Sequence, residues 1–168
     1  MKVTEKLKFN KFAYDYTNAI EKKIRDYDDF STFALAAAKF DWSKRRTRSR
    51  GGMYAWGLGI SIGMLGATKF DPEGVHKVHE YRSYTTDPVI GSIYIRDPLH
   101  GLRMIILHEL AHTMQYYHYK KYNYRCTPHG KMFKRWYKML RVDFLNDDLP
   151  NQILAKNEYE NQISSLVA

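Results

Sequence analysis

The sequence predicts an α+β fold in which a helix is followed by a small, mostly antiparallel sheet and then by two more helices. Three observations predict it. Apolar residues recur at helical spacing near the amino terminus and again in two runs after Pro98. The interval between holds short β-rich stretches cut by Gly and Pro. Helices and strands are therefore grouped along the chain, as α+β folds require, where a βαβ arrangement would alternate them. At 168 residues the chain suits one domain, 1–168, burying about two thirds of its unfolded surface.

The first helix runs from about Glu5 to Asp26, because Phe12, Tyr16, Ala19, Ile20 and Ile24 fall three and four apart with charged residues on the opposite face. The next stretch, "STFALAAAKFDW", satisfies two readings: its alanines favour helix, while its length and the charge run that follows permit a strand. "GISIGM" reads as a short strand, and "HKVHEYRSYTT" and "VIGSIYIRD" as further ones bounded by Pro72, Pro88 and Pro98. After Pro98, Leu102, Ile105, Ile106 and Leu110 form the apolar face of a second helix. In "GKMFKRWYKMLR", Phe133, Trp136, Tyr137 and Leu140 make the inward stripe of a third, with Lys131, Lys134, Arg135, Lys138 and Arg141 largely outside it. Beyond Pro150 the chain is polar with a few aliphatics, compatible with a short helix and given no role.

Composition narrows the partners. Lys and Arg total 27 against 18 Asp and Glu, a formal net charge of +9, which favours an anionic partner, nucleic acid first. Arg46, Arg48 and Arg50 alternate with Thr47 and Ser49, so an extended chain turns all three to one face beside Lys44 and Arg45. Cys126 is the single cysteine, which excludes an internal disulfide and a Cys-based zinc ribbon. With no apolar leader and no run of about 18 apolar residues, the expected setting is cytoplasmic, without a membrane.

The chemistry lies in "HELAH", residues 108–112, on the second helix. Positions four apart project from one helix face, so His108 and His112 can reach one metal ion, and Glu109 can sit beside the water that the metal activates. A catalytic zinc normally takes a third protein ligand. His118 has the metzincin spacing, but the glycine that would turn the chain out of the helix is replaced by Gln115. If the helix continues, His118 points about 120° away from His112. His129 stands between Pro128 and Gly130, just before the third helix, where a loop-to-helix junction can aim it back at the second. His76 and His79 offer the elements of a second metal site, although polar strand or loop residues account for them more simply.

"HELAH" followed by "HGKMFKRW", with "FDWSKRRTRSRGGMY" upstream, resembles the SprT-like zinc peptidases over about residues 33–141. The resemblance implies a zincin-like fold, one zinc ion held by His108, His112 and His129, and Glu109 as the catalytic acid/base. It also implies a protein substrate associated with DNA, to which Lys44, Arg45, Arg46, Arg48 and Arg50 would supply phosphate contacts. The stretch from Asp71 to Asp87 is longer than the family's usual link, and the Cys-rich ribbon of many members is missing. Tyr116, Tyr117 and Arg103 are the candidates for stabilising an oxyanion. Two other functions fit the same residues: a DNA-binding or assembly factor that keeps the fold without turnover, and a general peptidase with no DNA connection.

Overall fold

The computed structural model describes residues 2–43, 58–67, 76–78, 86–123 and 127–167, with residues 66–67, 76–78 and 161–167 described in their backbone only. Helix α1 spans Val3–Ile24. Glu5 in its first turn accepts from the Lys2 backbone N–H at 2.7 Å, and Lys22 and Lys23 occupy its last turn, so both ends carry the charge that suits the helix dipole. Its buried face is the expected stripe of Phe12, Tyr16, Ile20 and Ile24, widened by Ala13 and Thr17. A short 3₁₀ turn at Asp28–Phe30 leads into β1, Leu35–Asp41. The alanine-rich stretch is thus a strand. Pairing with a neighbour and packing of Phe40 against Tyr14 of α1, ring centroids 4.8 Å apart, outweigh its helix propensity.

Strand β2, Leu58–Gly63, pairs with β1 in parallel, from Leu35 opposite Leu58 to Asp41 opposite Gly63, with an irregularity between Leu35 and Ala37. This corrects the expectation of a mostly antiparallel sheet. Residues 42–57 separate the two strands, enough for the crossover of a dozen or more residues that parallel neighbours require. After α2, Met64–Ala67, a separate antiparallel pair joins β3, His76–Val78, to β4, Ile93–Ile95.

Helix α3, Pro98–Tyr122, starts with Asp97 accepting from the His100 N–H at 2.8 Å and with Pro98 in its first turn. Helix α4, Lys131–Phe144, lies against α3 and buries the expected Phe133, Trp136, Tyr137 and Leu140. Arg141, expected outside that stripe, is buried, with its guanidinium 5.5 Å from the Tyr137 ring. The segment compatible with a short helix forms α5, Leu149–Val167, which buries Ile153 and Asn157 and packs on α1, with the Lys11–Glu160 ion pair at 3.1 Å between them. One apolar cluster runs through α1, β2, α3, α4 and the start of α5, and the Tyr16 hydroxyl donates to the Phe144 carbonyl at 2.8 Å inside it. Among the described residues, no helix is long and apolar enough to cross a membrane.

Candidate metal centre

Helix α3 is 25 residues long and passes Gln115 without a break. His108 and His112 consequently share a face while His118 leaves it. The His118 ring lies 4.4 Å from Tyr122, 5.6 Å from Trp136 and 6.3 Å from Phe30, with Asp29 3.7 Å from its Nε2. It fills a seam between the end of α3, α4 and the 3₁₀ turn.

His129 returns to α3 through a tight turn. The Gly130 N–H donates to the Thr127 carbonyl at 3.0 Å, Pro128 follows Thr127, and His129 adopts φ of 58°. Proline second and a positive φ third is the pattern of a type II turn, a place usually given to glycine or asparagine. The left-handed conformation costs roughly 1–2 kcal/mol for a residue with a Cβ. In return the imidazole points at α3. A Cβ on Gly130 would stand 2.4 Å from the Thr127 Oγ1 and 3.0 Å from its carbonyl oxygen, so the turn closes tightly only around glycine.

The three imidazoles converge through their Nε2 atoms. His112 and His129 are 2.8 Å apart and His129 and His108 3.4 Å, with ligand atoms of all three within 4.8 Å of one another. Zn–N bonds of about 2.05 Å at tetrahedral angles separate ligand nitrogens by roughly 3.3 Å, so the spacing suits a small cation. Proton bookkeeping agrees. His129 Nε2 can make one hydrogen bond, as donor or as acceptor, yet faces two nitrogens. A cation satisfies all three lone pairs together. Burial, reinforced by the neighbouring His108 and His129, pushes the His112 pKa down to about 3 and keeps the ring in the neutral form that ligation needs. Among the described residues this is the one group of three or more His, Cys, Asp or Glu side chains that could hold a metal ion.

Glu109, 2% exposed, places Oε1 3.8 Å from His108 Nε2, beside the cluster. Phe133 forms the floor, its ring centroid 4.3 Å from that of His112, 4.8 Å from His129 and 4.9 Å from His108. Tyr137 backs His108 at 5.1 Å. These two aromatics read in the sequence only as a core stripe. No local signal marks them: His129 precedes α4 in a left-handed turn, and its ring meets that of Phe133 edge-on.

The other candidates fall elsewhere. Tyr117 is hydrogen-bonded to Thr32 at 2.5 Å, and Arg103 lines a pocket with Arg96, Asn146, Asp147, Asp148, Pro150 and Asn151, which none of the three histidines enters. Tyr116 remains on the face of His112, one turn along, beside Tyr119 and Lys120. Lys44, Arg45, Arg46, Arg48 and Arg50 lie outside the described residues, as do His79 and the side chain of His76.

The "HELAH" helix, with Glu109 buried on it, and a third histidine from the following turn form a centre that could hold a metal ion. The SprT-like family matches residues 20–154, most of the chain, and the chain belongs to that family, which is associated with metallopeptidase-type activity. Neither a curated protein nor a solved structure matches it.

Proposed function

We propose that this protein is a zinc metalloendopeptidase, with His108, His112 and His129 as the zinc ligands and Glu109 as general base and acid. The observation that carries the reading is the convergence of three Nε2 atoms beside a buried carboxylate on one helix. Zinc held there supplies a Lewis acid that lowers the pKa of water and polarises a carbonyl. The side chains do the rest. Glu109 takes the proton from the attacking water and returns it to the leaving amine, so the carboxylate ends as it began. Phe133 and Tyr137 wall the cluster on the core side and keep bulk water from the imidazoles there.

The substrates we propose are proteins associated with DNA. The formal charge of +9, the cationic run Lys44, Arg45, Arg46, Arg48 and Arg50, and membership of the SprT-like family support that choice.

The test is Glu109→Gln, assayed for bound zinc and for cleavage of an unstructured protein with and without single-stranded DNA at low salt. The amide keeps the shape of the side chain and cannot accept the proton. Bound zinc is expected to equal wild type while cleavage drops about 10²–10⁴-fold, and wild-type cleavage is expected to rise with DNA. Undiminished cleavage by Glu109→Gln contradicts the assignment of the base. Equal wild-type rates with and without DNA remove the DNA association and leave a general peptidase.

A further inference from the structure

Gln115 stands where a glycine would be needed to turn the chain after the second histidine, and its side chain carries a role of its own. It is 5% exposed, so both ends of its amide need partners. The nitrogen, Nε2, donates to the Thr127 carbonyl at 2.9 Å. The same carbonyl accepts from the Gly130 N–H, so two hydrogen bonds hold the turn that carries His129. The bond from the side chain fixes the amide orientation, because a flipped amide would press two oxygens together. Gln115 stands on α3 three residues after His112, whose Nε2 faces that of His129 at 2.8 Å. The amide therefore ties the helix that carries His112 to the turn that carries His129.

We propose that Gln115 is a positioning residue for the metal centre, in which one buried amide pins the turn that presents His129 to the helix that carries His108 and His112. It helps hold His129 in its left-handed conformation. The inference rests on the metal reading of the cluster.

The test is zinc affinity of the full chain by competition with a chromophoric chelator, alongside urea unfolding of the metal-free proteins. Gln115→Met keeps the volume and loses the bond to Thr127, and its zinc affinity is expected to fall by about 10–100-fold. Gln115→Asn, too short by one methylene to reach the Thr127 carbonyl, gives the same loss and replaces Gln115→Met if that variant does not fold. Gln115→Glu keeps the shape but sets an oxygen against the Thr127 carbonyl, and is expected to lose at least as much. A folded Gln115→Met or Gln115→Asn protein within about twofold of wild-type zinc affinity overturns the proposal, since a purely structural residue would lower metal-free stability alone. Wild-type affinity in Gln115→Glu overturns it too. Wild type that binds no zinc overturns the metal reading itself, and this inference with it.

Discussion

Phe133→Ala is expected to weaken both the core and the centre, and its size can be worked from the packing. The ring is fully buried and touches all three imidazoles at centroid distances of 4.3–4.9 Å, with Tyr137 behind it at 5.5 Å. Withdrawing a phenyl group from such a site loses about 1.5–3 kcal/mol of transfer free energy. The cavity adds to this, because α3 and α4 are fixed by their other contacts and collapse only in part. Total losses for buried Phe→Ala changes run about 3–5 kcal/mol, and we expect that range here. The assay is urea unfolding in the presence of chelator, where the midpoint should fall while the slope stays as in wild type. Metal-free conditions separate the core effect from stabilisation by bound zinc. A loss below about 1 kcal/mol would refute the reasoning, because a ring so enclosed cannot leave without a cavity or a collapse of the three histidines into its place.

Two further outcomes follow from buried polar groups. Burial, then the charges of Arg103 and Arg96, push the His100 pKa down to about 4, so the folded protein refuses a proton that the unfolded chain accepts below about 6.5. Stability is therefore expected to be full above pH 6.5 and to fall as pH drops toward 4; in metal-free His100→Gln this segment of the urea-midpoint profile should flatten, and an unchanged profile contradicts it. Tyr16→Phe removes the hydroxyl that donates to the Phe144 carbonyl and should lower stability by about 0.5–1.5 kcal/mol in the same unfolding assay; no loss would mean that water replaces the bond.

Helices α1 and α4 were legible because each has a long apolar stripe. Phe12, Tyr16, Ile20 and Ile24, and Phe133, Trp136, Tyr137 and Leu140, are buried as their spacing requires. Strand β1 was not decided by its residues, since alanine carries little β preference and its state is set by β2 alongside it. The parallel pairing of β1 and β2 could not be read either, because pairing direction depends on the path of residues 42–57 and leaves no local periodicity. Helix α5 was underrated since few of its residues are large and apolar; it is held partly by the ion pair of Glu160 with Lys11, far away in sequence.

At the site, the spacing of "HELAH" and the missing turn glycine at Gln115 together determined which histidines share a face. His129 was found from its place between proline and glycine at a helix start. What the sequence could not display was the second use of familiar residues. Phe133 serves the core and the centre at once, and Gln115, a good helix former, also spans from α3 to the Thr127 carbonyl. Such double roles depend on contacts between segments, and neither periodicity nor propensity records them.

Bound zinc per chain, measured on purified wild type, His129→Ala and His118→Ala in parallel, decides whether His129 completes the metal site. One zinc is expected in wild type and in His118→Ala, and a strong loss in His129→Ala while the helical content of all three stays alike. Loss of the metal in His118→Ala with retention in His129→Ala would contradict it, as would a wild-type protein that binds no zinc after reconstitution.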